Sequence, residues 1–243
     1  MLKHAFYNLM SGAHRESGLR QLQTLERKLP SKDVRFAVPF VYHGKGFFKT
    51  IEPRQNPEEI ETLYKAVLEL SPRRILEIGT ARGGSLYLWI QAASEDAIIV
   101  SIDLPGGKFG GAYPACRIPF YQSFARSGQT LKLLRRDSHQ AKTLAEVGRI
   151  FCDKPIDLLF IDGDHTYEGV KADFQDYGPL VRPGGLIGLH DILPRPDLPE
   201  IQVDRFWKEL RDKYDCEELI GREGSGRKIG IGLIHVKNNG LFF

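Results

Sequence analysis

The stretch ILEIGTARGGS, residues 75–85, is a short apolar run that contains one acidic residue, Glu77, and continues into glycines. Such a run is typical of a buried β-strand, and a glycine-rich loop that opens a helix exposes amide groups to an anion. Its small residues, Gly79, Ala81, Gly83 and Gly84, do not have the GxGxxG spacing that favours a dinucleotide. The stretch therefore predicts a strand, a loop and a helix that bind an anionic group, and a carboxylate would serve as well as a phosphate.

The sequence on both sides of this stretch alternates short β-rich runs with amphipathic helical windows. This alternation predicts a mostly parallel, Rossmann-like doubly wound sheet with helices on both faces. The predicted strands are RRILEIG, AIIVSIDL, LKLLRRD, IDLLFID and GGLIGLHD, with RPGG (Arg182 to Gly185) as a turn before the fifth. CEELIG and IGIGLIHV, joined by the polar connection GREGSGRK, predict a closing antiparallel hairpin.

The first 55 residues predict an appendage to a main domain at 56–243. Leucines 19, 22, 25 and 29 indicate a helix with a narrow apolar stripe, and FAVPFVYHGKGFFKTI indicates a hairpin that turns between His43 and Gly46. This region could cap the core, form a dimer contact, or line the substrate site. A homodimer through it stays open.

Composition and charge exclude several classes of protein. Lys and Arg number 34 against 31 Asp and Glu, and the basic residues form no stripe, so we expect no nucleic acid partner. The three cysteines include no CxxC pair, which favours a reducing compartment. Because the chain begins without a long apolar region and has no run of 18 apolar residues, we expect a cytoplasmic protein without a membrane partner.

Acidic residues follow the second and third predicted strands. Asp103 ends the second strand, where a carboxylate could accept hydrogen bonds from both hydroxyl groups of a ribose. Asp137 and Ser138 follow the third, where the edge of an adenine would lie. Each acidic residue alone could be a solvated strand end, but their succession along one sheet edge favours a nucleoside site.

The fourth and fifth strands end in residues suited to acid–base or metal chemistry. Asp162, Asp164 and His165 follow the fourth strand, and His190 and Asp191 end the fifth. Two carboxylates and an imidazole from adjacent strands could ligate a divalent cation. Asp164 could instead cap the helix near residue 167, and His190 could be an ordinary hydrogen-bonded residue at the sheet edge.

These motifs resemble class I S-adenosylmethionine-dependent methyltransferases, and within that class the cephalosporin-hydroxylase-like and macrocin-type sugar O-methyltransferases. The resemblance covers roughly residues 56 to 240 and is most specific in DLLFIDGDHTYEGV and RPGGLIGLHD. It implies a class I fold and S-adenosylmethionine as cofactor. By position, the implied cofactor-binding residues are Glu77, Gly79, Thr80, Ala81, Gly83, Ser85, Asp103, Asp137, Ser138 and Asp162.

The same resemblance implies a divalent metal, Mg or Mn, at Asp162, His190 and Asp191, with His165 as the catalytic base. In the family the first residue of this vicinal pair is usually acidic, and His190 departs from that pattern. A site that holds manganese, or no metal at all, therefore also stays open. The acceptor would be a hydroxyl of a small molecule or sugar. The segments Pro105 to Pro119 and Leu193 to Glu200, with the aromatic residues Tyr42, Phe48 and Tyr113, could line its site.

Three other functions remain as alternatives. An NAD-dependent oxidoreductase is disfavoured by the glycine spacing and by the terminal hairpin. A non-catalytic binding protein with this fold would have no need of His165 beside Asp162. A hydroxylase with iron held by His165, His190 and Asp162 would leave the glycine loop without a purpose.

Overall fold

The computed structural model describes residues 20, 32–107, 109, 113–222 and 228–237. Within these residues, seven strands form one sheet in the order β3-β2-β1-β4-β5-β7-β6, parallel except for β7, which is antiparallel to both β5 and β6. The strands are β1 Arg74–Ile78, β2 Ile98–Ile102, β3 Thr130–Leu134, β4 Ile156–Ile161, β5 Val181–His190, β6 Cys216–Leu219 and β7 Ile231–His235. The predicted doubly wound sheet with an antiparallel end is confirmed.

Helices cover both faces of this sheet. They are α1 Val34–His43, α2 Pro57–Leu70, α3 Gly84–Ala92, α4 Ile118–Gln122, α5 Ala141–Ile150, α6 Tyr167–Tyr177 and α7 Val203–Arg211. Short 3-10 helices lie at Gly46–Ile51, Ala115–Arg117 and Gly178–Leu180. None of the helices in the described part of the chain is long and apolar enough to cross a membrane.

The central strand β4 explains why two hydrophobic cores form. All six of its residues are buried, as expected of a parallel strand covered on both faces. Leu158 and Phe160 face a core that also contains residues of α1 to α4, whereas Leu159 and Ile161 face a core with residues of α5 to α7.

The predicted hairpin in FAVPFVYHGKGFFKTI is wrong, because the first half of this segment is the helix α1. The side chain of Asp33 accepts a hydrogen bond from the Arg35 amide and caps the helix. Phe36 and Phe40, four residues apart, both lie in the core. The aromatic and β-branched residues favour a strand by propensity, but burial of one helical face outweighs that weak preference.

The turn predicted at Arg182 to Gly185, before the fifth strand, is wrong, because β5 begins at Val181 and contains these residues. The register with β4 shifts there, since Ile156 pairs with Val181 whereas Leu158 pairs with Leu186. The extra residues form an irregularity in the strand, anchored by a 2.5 Å ion pair between Arg182 Nε and Asp157 Oδ1.

The predicted appendage is only partly described. The stripe of leucines at 19, 22, 25 and 29 falls outside the described residues. Phe36, Phe40, Phe48 and Ile51 pack into the same core as α2 and α3. The domain boundary at 55 stays a prediction, but the second half of this region contributes to the main hydrophobic core.

We predict that Glu59→Ala lowers the free energy of unfolding by about 2–6 kcal/mol. Glu59 is 1% exposed on α2, and its carboxylate accepts hydrogen bonds from the amides of Gly221 and Gly230 at 3.1 and 3.0 Å. Its removal leaves these buried amides unpaired, at a cost of about 1–3 kcal/mol each. Chemical denaturation measures the effect. Glu61→Ala on the same helix removes only an exposed pair with Lys65 and should cost less than about 1 kcal/mol; equal losses for the two variants would contradict the prediction.

Candidate active site

The predicted site residues meet at the carboxyl edge of the sheet. Strands β2, β1, β4 and β5 are neighbours in that order. Their ends bring together Asp103, the glycine loop, Asp162 and the pair His190 and Asp191. In open α/β sheets this edge is where ligands bind, and the chain reverses its strand order here between β1 and β4.

Gly79 is the point of closest approach between the glycine loop and β4. A Cβ atom on Gly79 would lie 2.0 Å from the carbonyl oxygen of Asp162, and the φ angle of +100° is one that side-chain-bearing residues rarely adopt. The flanking backbone is held on both sides, because the Gly79 amide bonds the Ile102 carbonyl and the Asp162 amide bonds the Ile78 carbonyl, each at 2.8 Å. Only glycine fits between the loop and the acid–base residues.

Asp103 holds the glycine loop in shape. One of its carboxylate oxygens accepts a hydrogen bond of 2.7 Å from the Ala81 amide. This bond supports Ala81 in a left-handed conformation, with φ of 42°. Gly83, with φ of 86°, then begins α3. The loop therefore presents the amino-terminal end of α3 next to a carboxylate that could accept from a ribose.

Glu77 lies beneath the loop and not on its surface. It is 0% exposed, and its carboxylate accepts hydrogen bonds from Ser85 Oγ at 2.7 Å, Trp89 Nε1 at 3.1 Å and Ser101 Oγ at 2.6 Å. The Ser101 hydroxyl in turn bonds the Thr80 hydroxyl at 2.5 Å. Glu77 and Ser85, both predicted to bind cofactor, thus fix the loop from below, and a direct cofactor contact by either stays a prediction.

Asp137 and Ser138 shape the turn after β3. The Asp137 carboxylate accepts from the His139 amide at 3.0 Å and from Gln140 Nε2 at 3.3 Å. Ser138 is 9% exposed, and its carbonyl accepts a 2.7 Å bond from the Tyr177 hydroxyl. The two residues lie at the predicted rim, and their contact with an adenine stays a prediction.

Four side chains form an acid–base cluster at the ends of β4 and β5. His165 Nδ1 lies 2.8 Å from Asp191 Oδ2, and His165 Nε2 lies 3.7 Å from Asp162 Oδ1. His190 Nδ1 lies 2.8 Å from Asp162 Oδ1 and 3.3 Å from Asp191 Oδ2. Both carboxylates are therefore shared by the two imidazoles.

Burial and charge act against each other in this cluster. Burial lowers the pKa of His190, but the carboxylates of Asp162 and Asp191 outweigh it and raise that pKa to about 10. Burial raises the pKa of Asp191, but His190 and His165 outweigh it and hold that pKa well below its usual range. The two carboxylates thus favour the protonated form of His190.

The donor set for a metal differs from the predicted one. The carboxylates of Asp162 and Asp191 and a ring nitrogen of His165 lie within 4.8 Å of one another. His190 does not belong to this group. Its Nδ1 already bonds the carboxylates, and its Nε2 is buried without a hydrogen-bond partner among the described residues. The predicted ligands Asp162 and Asp191 are brought together, with His165 beside them, and metal binding at Asp162, His190 and Asp191 stays a prediction.

Two further residues hold the cluster and were not predicted. Gln55 Nε2 donates to Asp162 Oδ2 at 2.7 Å, and Arg195 Nη1 donates to Asp191 Oδ1 at 2.8 Å. Arg195 lies in the segment 193–200 that was predicted to line the acceptor site, four residues after Asp191. Gln55 carries no sequence signal. Asp164 is not the helix cap; it bonds Thr166, and the Thr166 hydroxyl caps α6.

The predicted acceptor-site aromatics have different environments. Phe48 is 0% exposed and packs against Phe40 and Phe120, so it belongs to the core. Tyr42 donates its hydroxyl to the Gln55 carbonyl. From the segment 105–119, Phe109 places its ring 5.1 Å from the His165 ring, centroid to centroid. Phe109 therefore borders the acid–base cluster.

Comparison with known proteins agrees with this architecture. Residues 76–192 match a family model described as a methyltransferase domain. The chain is 30% identical over 172 residues to the uncharacterized protein y4gI of Sinorhizobium fredii, an alignment that covers 68% of this chain and 18% of that protein. The chain thus spans less than a fifth of the length of this curated relative.

Two examples of solved structures with this fold are O-methyltransferases. An O-methyltransferase from Bacillus cereus in complex with SAH is 19% identical, with a TM-score of 0.59, and the match covers 91% of this chain and 99% of that one. The O-methyltransferase TomG from Streptomyces achromogenes, involved in tomaymycin synthesis and in complex with SAM, is 20% identical, with a TM-score of 0.52 and coverage of 72% and 78%. The predicted class I fold is confirmed.

We predict that Glu77 makes stability depend on pH. Burial raises the pKa of Glu77 from 4.5 to about 7, although bonds from Ser101 and Ser85 oppose the shift. The folded state therefore resists ionisation of Glu77, and its stability relative to Glu77→Gln should fall as pH rises from about 4.5 to 7. The fall is at most about 3 kcal/mol, at about 1.4 kcal/mol per pKa unit.

Denaturant unfolding of both proteins across this pH range measures the difference. Glu61→Gln, at an exposed position, serves as the control and should show no such trend. If the free energy of unfolding differs between Glu77→Gln and the original protein by the same amount at every pH, the assignment of a raised pKa to Glu77 is contradicted.

Proposed function

We propose that this chain, whose residues 76–192 match a methyltransferase domain, transfers a methyl group from S-adenosylmethionine to a hydroxyl of a small molecule or sugar. The observation that carries the proposal is the contact of Gly79 with Asp162. It places the predicted cofactor loop directly against an aspartate that shares the acid–base cluster with His165.

The residues around the loop fit the chemistry of S-adenosylmethionine. The amide groups at the start of α3 suit the carboxylate of its amino acid part. Asp103 suits the ribose hydroxyls, and Asp137 and Ser138 suit the edge of the adenine. The complexes of similar folds with SAH and SAM support this assignment.

We assign the role of general base to Nε2 of His165. Its Nδ1 is engaged by Asp191, which fixes the ring orientation and the tautomer that leaves Nε2 able to accept a proton. In the proposed reaction the acceptor hydroxyl gives its proton to Nε2, and its oxygen bonds the methyl carbon. The bond from carbon to sulfur breaks, the sulfur takes the electron pair, and S-adenosylhomocysteine leaves.

His190 and Arg195 are positioning residues in this scheme. His190 bonds both carboxylates, and Arg195 bonds the oxygen of Asp191 that faces away from His165. Their positive charges balance those of the two aspartates in a buried place, where unpaired carboxylates would be costly. The orientation of His165 then depends on the hydrogen-bonded set of Asp162, Asp191, His190 and Arg195, which is neutral as a whole.

The cluster also fits a divalent cation. The Asp162 and Asp191 carboxylates are hard oxygen donors, and two carboxylates are enough for a cation that keeps several water ligands. A bound cation would supply a Lewis acid that lowers the pKa of the acceptor hydroxyl. We propose Mg or Mn as an optional cofactor, with His165 beside it as base.

The partners follow from the same site. Phe109 beside His165 fits an acceptor with an apolar or planar face near its hydroxyl. No nucleic acid partner is proposed because the basic residues form no stripe. A cytoplasmic location and a homodimer through the N-terminal region stay predictions.

Calorimetric titration of the dialysed protein tests the cofactor. We expect micromolar binding of S-adenosylmethionine and none of NAD. Asp103→Asn should weaken the binding about tenfold or more, because the ribose loses a charged acceptor, worth about 1.5–3 kcal/mol. Binding of NAD but not of S-adenosylmethionine would support the oxidoreductase, and binding of neither would support the non-catalytic alternative.

We predict that His165→Ala abolishes turnover while cofactor affinity changes by less than a few fold. Turnover is measured as release of S-adenosylhomocysteine with a panel of sugars and phenols, with and without Mn. His235→Ala, at a half-exposed position on β7, is the control and should keep full activity. Loss of cofactor binding in the His165 variant would count against its assignment as the base.

A further inference from the structure

Two tyrosines in the connection between β2 and β3 lie near the glycine loop, Tyr121 in contact with it and Tyr113 packed against Tyr121. Tyr121 donates its hydroxyl to the Ala81 carbonyl at 3.2 Å, and its ring lies 2.7 Å from where a Cβ atom of Gly83 would be. Tyr113 packs edge-on against Tyr121, with ring centroids 4.8 Å apart and planes at 76°. Tyr121 therefore links Tyr113 to the loop.

Tyr113 buries a hydroxyl that has no hydrogen-bond partner among the described residues. The residue is 3% exposed, and its hydroxyl oxygen is buried. Leaving such a group unpaired costs about 1–3 kcal/mol, and buried tyrosines therefore usually bond a partner. By contrast, the hydroxyls of Tyr64 and Tyr177 each bond a backbone carbonyl, at 3.0 and 2.7 Å.

The surroundings of this hydroxyl are those of the predicted nucleoside site. Burial raises the pKa of Tyr113, the negative charge of Asp103 raises it further, and Arg135 opposes both. The Arg135 guanidinium carbon lies 5.8 Å from the centre of the Tyr113 ring. Asp103 and Arg135 lie at the ends of neighbouring strands, so Tyr113 spans the edge between β2 and β3.

We propose that Tyr113 is a cofactor-binding residue whose hydroxyl donates a hydrogen bond to a ribose oxygen of the nucleoside held by Asp103. This inference rests on the proposed function, since it requires an adenosyl cofactor. A ribose hydroxyl can donate to the Asp103 carboxylate and accept from Tyr113 at the same time. The bound cofactor would thus supply the partner that the buried hydroxyl lacks.

Tyr113→Phe separates this role from packing, because it keeps the ring and removes only the hydroxyl. We expect the Kd for S-adenosylmethionine to rise about 5- to 30-fold, the range for loss of one buried hydrogen bond. The thermal midpoint of the free protein should stay the same or rise, because the variant removes an unpaired buried group. Free adenosine should lose affinity by a similar factor, and methionine should not.

Tyr64→Phe is the matched control. Its hydroxyl bonds the Lys32 carbonyl and not a group of the glycine loop, so this variant should lower the midpoint and leave the Kd unchanged. A Tyr113→Phe variant that binds S-adenosylmethionine as tightly as the original protein would overturn the inference and leave the proposed function intact. A lowered thermal midpoint of Tyr113→Phe would also overturn it, as would a loss of affinity of this variant for S-adenosylmethionine but not for adenosine. Absence of binding by the original protein would overturn the proposed function itself.

Discussion

The close approach of Gly79 to the backbone of Asp162 is the contact on which the site depends. It joins the end of β1 to the end of β4, so that the glycine loop and the acid–base cluster share one edge of the sheet. A side chain at position 79 would push these two segments apart, because the obstructing atom is backbone and not the end of a flexible side chain. The proposed roles of the glycine loop and of His165 both depend on this junction.

Polar groups are buried around this junction at a cost in stability. Glu77 lies beneath the loop, and Asp191 and His190 lie at the end of β5, each at most 3% exposed. Ala81 and Asp191 also adopt left-handed backbone conformations, which are costly for residues other than glycine. Buried charge and backbone strain gathered in one place are common at functional sites, where rigidity and fixed orientation serve the reaction.

Much of the fold could be predicted from periodicity, because strands buried on both faces and capped amphipathic helices leave clear patterns. The five parallel strands and α2, with its capping Asn56 and Pro57, are examples. Helix α1 was not predictable in this way. Its aromatic and β-branched residues favour a strand by propensity, Pro39 lies inside the helix, and only tertiary packing decides the outcome.

The site was predictable to the extent that its residues end strands. Asp103, Asp162 and Asp191 follow this rule, since strand order alone brings them together. That a ring nitrogen of His165, and not one of His190, lies in the group that could hold a metal with both aspartates depends on side-chain directions that no spacing encodes. Gln55 reaches Asp162 across 107 positions in the chain, from a segment with no motif, and such a contact is known only once the structure is seen.

A crystal structure of the protein with S-adenosylhomocysteine tests the central claim most directly. We expect the ligand along the glycine loop, with its ribose at Asp103 and its sulfur facing the side of the site where His165 Nε2 lies. Ligand density elsewhere on the molecule, or a sulfur turned away from His165 with no room for an acceptor between them, would contradict it.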